Sequence, residues 1–362
     1  MVNETSSALL HFQVRELNTL VGGKVEKIYQ LGKDTIIFRI YKEGAKYNFR
    51  ICAPSFVSLT SQEFNAPMLP PGFCMFLRKY LTNARIESLE QRGFERILTV
   101  KFSKKEGSYL LIVELFKPGN VVLCKKSEDN SLIVLNSFER QRFKDRVIQA
   151  RKPYEFPPEL INPLLTTEDE LIKIVNDSDR SLVKTLAAKF GLGGVYAEEL
   201  ITIANLDKDA ETISKTDTMK LMGAIKSFFS SEIEPFISNN NIFPTRMLTK
   251  SGDSVESISA GIDLLSPLIK EDAIKPAQKK KDKTASLVDI QEKMIKSFER
   301  KIEENQAKGE FVYSNYQDFQ KLINDANKIR KEEGLDALER VMKSNKKFVS
   351  INKKDKSLTF KF

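Results

Sequence analysis

Arg96-Ile-Leu-Thr-Val-Lys-Phe-Ser103, Ser108-Tyr-Leu-Leu-Ile-Val-Glu-Leu115 and Asn120-Val-Val-Leu-Cys-Lys125 follow one another with four-residue connections. Each stretch is rich in β-branched and aromatic residues and too short for an ordinary helix, so the run reads as antiparallel strands. Leu132 to Ser137 continues it and Arg85 to Leu89 precedes it. Upstream, Lys24 to Gln30, Thr35 to Tyr41, Tyr47 to Cys52 and Phe56 to Thr60 repeat the pattern, separated by Gly-Lys-Asp and Glu-Gly-Ala turns. Only two helices interrupt the series. Residues 6 to 21 place Leu10, Val14, Leu17 and Val21 on one face before Gly22-Gly23, and Pro70-Pro71 opens a second helix through about Thr82. So many short strands predict an antiparallel sandwich or open barrel over residues 1–158.

The pattern turns helical over 159–240, where Leu171-Ile172-Ile174-Val175 and Leu182 to Phe190 repeat at helical spacing. Residues 241–274 read as a return to β structure and a linker, with Lys250-Ser-Gly-Asp253 as a hairpin turn. In 275–345 a basic linker, Lys279-Lys280-Lys281-Asp282-Lys283, precedes a stripe of Leu287, Ile290, Met294, Phe298 and Ile302. A partner stripe of Phe319, Leu322, Ala326 and Ile329 predicts an antiparallel helical hairpin or short coiled coil, ahead of a basic tail over 346–362. The fold class is therefore α+β.

Composition removes several kinds of chemistry. Cys52, Cys74 and Cys124 form no CxxC pair, and His11 is the only histidine, so neither a zinc cluster nor a Ser-His-Asp relay is assembled from these residues. There is no P-loop, no GxGxxG after a strand and no HExxH. No catalytic residue, metal site or cofactor is expected. No apolar run approaches the roughly 18 residues of a membrane span, and Met1-Val-Asn-Glu-Thr-Ser-Ser7 lacks the features of a secretory signal. A cytoplasmic location follows as the expectation.

The net charge of +9 is unevenly placed: Lys275 to Phe362 holds 22 basic against 14 acidic residues. A polyanion such as RNA gains from such a segment through counterion release, although a solvated helix face has the same composition. Gly191, Gly193 and Gly194 lie in a turn between two helices, where glycine amides and a helix N-terminus can approach a phosphate. The same glycines also suit a tight turn that binds nothing. Arg78 and Lys79 on the second helix, with Arg85 and Arg96 opening strands, are candidates for one cationic groove beside Phe73 and Tyr80, or for simple solvation and pairing with Glu87, Glu90 or Glu95.

Several stretches, in order, resemble the NFACT family, which includes NEMF, Caliban, bacterial RqcH and proteins once named for fibronectin binding. They are Val14-Arg-Glu-Leu17, Val21-Gly-Gly-Lys-Val-Glu-Lys-Ile-Tyr-Gln30, Pro70 to Ile86, Phe94-Glu-Arg-Ile97, Ile112 to Leu123, Tyr154-Glu-Phe-Pro-Pro158, Gly191 to Glu199 and Gly309 to Tyr316. The resemblance implies an N-terminal domain shaped like formamidopyrimidine-type DNA glycosylases, a helix-hairpin-helix module at the glycine turn and a coiled-coil segment. It further implies a non-enzymatic ribosome quality-control factor that binds the large ribosomal subunit and tRNA, alanyl-tRNA in prokaryotic members, in rescue of stalled translation. There the subunit's own peptidyl-transferase centre adds an untemplated tail.

The family's Asp-Arg pair, associated with tRNA handling, stands here as Glu95-Arg96, and Leu9 occupies the place of an aspartate early in the first helix. Lys279, Lys280 and Lys281 join the candidate RNA contacts. Family members also carry an NFACT-R domain that contacts tRNA; here it is expected to lie beyond Phe362 in a longer chain, to be a separate polypeptide, or to be dispensed with. On these departures the 362-residue chain alone is not expected to support tailing. The competing readings are a nucleic-acid-binding protein of glycosylase-like fold without tailing activity, a DNA-lesion glycosylase, which the fold suggests but Val2 in place of a proline nucleophile opposes, and a fibronectin-binding adhesin.

Overall fold

Ser6 opens the first helix, α1 (Ser7–Leu17), its hydroxyl accepting from the Leu9 amide at 3.1 Å and satisfying one free N–H of the first turn. A 3-10 turn over Asn18–Leu20 carries the chain to Gly22, whose φ of +86° stops it. The computed structural model describes residues 4–32, 34–127, 130–143, 146–268, 276–344, 348–352 and 357–360, with the backbone alone over 276–294 and at 335 and 351.

Two antiparallel meanders follow, β1 (Lys24–Leu31), β2 (Thr35–Lys42), β3 (Ala45–Cys52) and β4 (Phe56–Thr60), then β5 (Arg85–Gln91), β6 (Ile97–Lys104), β7 (Gly107–Glu114), β8 (Asn120–Lys126) and β9 (Leu132–Ser137). They join through a single β1–β5 pairing, Lys24 with Arg85, into a nine-stranded sheet ordered β4-β3-β2-β1-β5-β6-β7-β8-β9. So narrow a seam lets the sheet fold over itself. Phe38 of β2 stacks on Phe102 of β6 with ring centroids 6.1 Å apart, both fully buried. Each such ring contributes roughly 2–3 kcal/mol of burial. Leu10, Val14 and Leu17 of α1 and Cys74, Leu77 and Leu81 of α2 (Gly72–Leu81) complete this core. A second layer packs Ile112, Val122 and Val134 under Ile148 and Tyr154, from the chain that follows β9 and forms the short pair β10 (Gln141–Arg142) and β11 (Val147–Ile148).

The helices α3 (Glu168–Asn176), α4 (Leu182–Lys189), α5 (Gly193–Ile203) and α6 (Lys215–Ser230) build a third core against the other side of α1, where Ala8, Leu9 and Phe12 meet Phe190, Leu200 and Phe228. In the predicted return to β structure, β12 (Phe236–Ser238) pairs with both β13 (Asn241–Phe243) and β14 (Asp253–Ser254), and a helix, α7 (Ile258–Leu265), follows. The hairpin turn is Asn239-Asn240, both at positive φ, rather than Lys250 to Asp253. Asparagine tolerates the left-handed region. Gly252 serves a different need, because a Cβ there would lie 2.0 Å from the Ile237 carbonyl oxygen.

Residues 1–271 and 272–362 form two separate compact units. In the second, the expected basic linker is already helical, since α8 runs Pro276–Ser314 through Lys279, Lys280 and Lys281. The chain does not reverse near Tyr316. Asn315 N–H bonds to Phe311 O and Phe319 N–H to Asn315 O, which carries the helical ladder into α9 (Tyr316–Glu333). Reversal comes at Gly334, φ +83°, so the helical hairpin is made by α9 and α10 (Leu335–Met342). Ala326 and Ile329 of the predicted partner stripe pack against Leu338, Met342 and the terminal strands β15 (Phe348–Asn352) and β16 (Ser357–Phe360), while Phe298 and Ile302 of α8 remain 55% exposed.

Candidate nucleic-acid interface

Glu95 and Arg96 lie in the tight link between β5 and β6, and the start of α1 and the glycine turn meet them there. A cleft of about 460 Å³ is lined by Glu4, Ser7, Glu95, Arg96, Leu160, Gly191 and Gly193 among others. Arg96 Nη1 lies 3.3 Å from Glu4 Oε2, and Lys117 Nζ lies 2.9 Å from Glu4 Oε1. The Lys117 ammonium, with Arg96 adding to it, holds the Glu4 carboxyl below the ordinary carboxylate value. Glu95 accepts from the Leu160 amide, and Gln91 Nε2 donates to the carbonyls of Ser7 and Glu95, both at 2.9 Å. These bonds tie the link to α1 and leave the Arg96 guanidinium about one-third exposed at the cleft.

Gly191 (φ +63°) and Gly193 (φ +74°) turn the chain between α4 and α5 in a conformation that favours glycine. No side chain caps α5. Gly193 and Gly194 of its first turn, with Glu4 and Ser6, line an adjoining cleft of about 250 Å³, and the first amides of a helix are unpaired within it. Two sequence-predicted groups, Glu95-Arg96 and the glycine turn, thus meet in one place.

The other predicted cations do not join them. Arg78 donates to the Ile28 carbonyl at 2.7 Å and sits over the Tyr29 ring, Lys79 lies 5.5 Å from the Tyr80 ring centroid, and Arg85 is exposed at the β1–β5 seam. None of them lines the Arg96 cleft, so the single groove expected from Arg78, Lys79, Arg85 and Arg96 is not formed. Phe73 and Tyr80 turn instead onto Phe138 and Tyr109. Lys279, Lys280 and Lys281 belong to the other compact unit, and their side chains lie outside those described.

Sequence reading missed Glu4 and Lys117, because an isolated carboxylate and lysine carry no spacing signal. It also left three motifs unexplained. In Val14-Arg-Glu-Leu17, the outer residues enter the core, Arg15 donates to the carbonyls of Phe229 and Ser231 at the end of α6, and Glu16 accepts from the Ile258 and Ser259 amides at the start of α7. Glu199, almost fully buried, accepts from the Leu248 and Thr249 amides and the Thr249 hydroxyl. Gly119 passes so close to Pro54 that a Cβ would lie 2.7 Å from it.

A family model for the NFACT N-terminal and middle domains matches residues 6–356. The chain belongs to the NFACT family. The archaeal Rqc2 homolog aRqcH of Methanocaldococcus jannaschii is 27% identical over 361 residues, covering 92% of this chain and 53% of that protein. The Rqc2 homolog RqcH of Streptococcus pneumoniae is 29% identical over 70% of this chain and 46% of its own length. Human ribosome quality control complex subunit NEMF is 26% identical over 64% of this chain and 22% of that protein. The chain thus spans about half the length, or less, of these curated relatives. The N-terminal part of the fibronectin/fibrinogen-binding protein of Streptococcus suis superposes with a TM-score of 0.61 at 27% identity, covering 72% of this NFACT chain and 97% of that one. Among the described residues no helix is long and apolar enough to cross a membrane, and no group of potential metal ligands converges.

Proposed function

We propose that this chain is a non-enzymatic, cytoplasmic ribosome quality-control factor that binds the large ribosomal subunit and tRNA, alanyl-tRNA among its candidates, in rescue of stalled translation. The observation that carries the reading is the meeting of Arg96 with the uncapped N-terminus of α5 in adjoining clefts. A guanidinium fork and helix N-terminal amides are both phosphate-binding groups, and here they belong to separate elements lining two clefts that share Glu4, Ser6 and Gly193. The names of the relatives point the same way.

Leu9 is 6% exposed and packed in the helical core, and its side chain offers no acceptor where the resemblance implies an aspartate. With Leu9 and Glu95 standing where the resemblance implies aspartates, we expect subunit binding without tail synthesis. The test is co-sedimentation with purified obstructed large subunits and charged alanyl-tRNA. Arg96→Ala should lower tRNA recruitment about tenfold, with subunit binding and melting temperature little changed. A lowered melting temperature with unaltered tRNA recruitment would instead make the Arg96–Glu4 pair structural. Immobilised fibronectin serves as the competing ligand, and preferential binding to it would overturn the reading.

A further inference from the structure

Another cleft of the first compact unit lies apart from the Arg96 cleft. It has a volume of about 710 Å³, lies around the β10–β11 pair, and shares no lining residue with the Arg96 cleft. Arg140, Arg142, Arg146 and Lys152 line it, and Glu155 is its one carboxylate among the described lining residues.

Its cations divide into two kinds. Arg146 is fixed: it pairs with the fully buried Glu114, donates to the Tyr154 hydroxyl and the Glu155 carbonyl, both at 3.3 Å, and lies 4.6 Å from the Phe143 ring centroid. Burial opposes its charge, but the bond and charge of Glu114 outweigh that cost and keep it a guanidinium. The side chains of Arg140, Arg142 and Lys152 are exposed and make no hydrogen bond or ion pair among the described residues. Arg140 directly precedes β10 and Arg142 lies in it, and both line the cleft. Like charges gathered on one rigid wall repel one another unless a polyanion bridges them.

We propose that this cleft is a second RNA contact, in which Arg140, Arg142 and Lys152 hold consecutive backbone phosphates of an unpaired segment and Phe143 takes a base against its ring. The inference rests on the reading of the chain as an RNA-binding factor. Arginine forks match phosphate oxygens in pairs, and an aromatic ring braced by a fixed guanidinium gives a base a stacking platform. An acidic peptide has charges to offer but no planar base for Phe143, so RNA fits the lining better.

The experiment measures fluorescence anisotropy of the full chain with a labelled oligouridylate of about twelve nucleotides over a range of salt. With Arg140→Ala, Arg142→Ala and Lys152→Ala combined, affinity should fall about tenfold or more and the log–log salt slope should become shallower by about two. Arg140→Lys with Arg142→Lys should keep most of that slope, which separates charge loss from misfolding, and circular dichroism should show an unchanged melt for both variants. Phe143→Leu should weaken binding about fivefold with the slope intact. An unchanged affinity and slope in the triple variant overturns the proposal, as does displacement of the oligouridylate by polyglutamate of equal charge. If the triple variant binds normally while Arg96→Ala loses tRNA, only this site fails. If the unaltered chain binds neither oligouridylate nor tRNA, the RNA reading fails with it.

Discussion

Arg15 and Glu16 are neighbours in sequence that serve opposite ends of two helices. The Arg15 guanidinium meets the carbonyl end of α6, and the Glu16 carboxylate meets the amide end of α7, so each charge lies where the helix dipole favours it. Glu16→Ala should cost about 1–2 kcal/mol by leaving the α7 amides without their acceptor, read as a lower melting temperature with unchanged tRNA affinity. A neutral effect would mean that the Ser257 cap satisfies α7 alone. His11 stands beside Phe12 and Phe229 at the same junction, and burial followed by the Arg15 charge pushes its pKa below the ordinary 6.5. The folded protein therefore favours neutral imidazole. Its stabilising contribution is complete above pH 6.5 and is lost as pH falls through the lowered value, where the unfolded chain binds more protons. Thermal melts of the intact chain should decline over that interval, and His11→Leu should flatten this part of the profile.

At the scale of elements, the glycine turn separates stability from binding. Gly194 lies in the first turn of α5, with open space where a Cβ would project. Alanine there should stabilise the helix by up to about 1 kcal/mol. If the α5 amides hold phosphate, the same methyl obstructs the approach, so Gly194→Ala should raise the melting temperature and weaken tRNA binding. A higher melting temperature with full affinity would make the turn a connector only. Gly191 differs: its left-handed φ and a Cβ contact of 2.9 Å with Leu160 predict a loss of about 1–2 kcal/mol on substitution by alanine. The pairing of α9 with α10 has a comparable local cause in Gly334, while Asn315 lets helix hydrogen bonds continue.

For the molecule as a whole, the compact unit of residues 1–271 holds both clefts, and the basic surplus of the chain belongs to residues 275–362. Removing residues 275–362 should leave the first unit's melt in place while lowering both affinity for large subunits and the steepness of the salt dependence, because each lost phosphate contact removes about 0.7–0.9 from the slope. Sedimentation at two salt concentrations reads this directly. Unchanged binding would assign the RNA contacts to the first unit.

Strand positions, the two early helices and the helical module were legible in the sequence because each depends on local periodicity. The short β-branched and aromatic runs from Lys24 to Ser137 reappear as β1 to β9 within two or three residues at each end, and the stripe of Phe319, Leu322, Ala326 and Ile329 is the covered side of α9. Cys52, Cys74 and Cys124, which have no CxxC spacing, are free and buried. The folding of one sheet over Phe38 and Phe102, the meeting of Arg96 with Gly191 and Gly193, and the ion pairs of Glu4 were decided only by tertiary structure. These contacts join residues separated by tens of positions or more, and no local repeat encodes which distant surfaces will meet. Phe298 and Ile302 show the converse limit: their helical spacing is plain, but an apolar stripe states only that a helix has a face, and packing alone determines whether that face is covered.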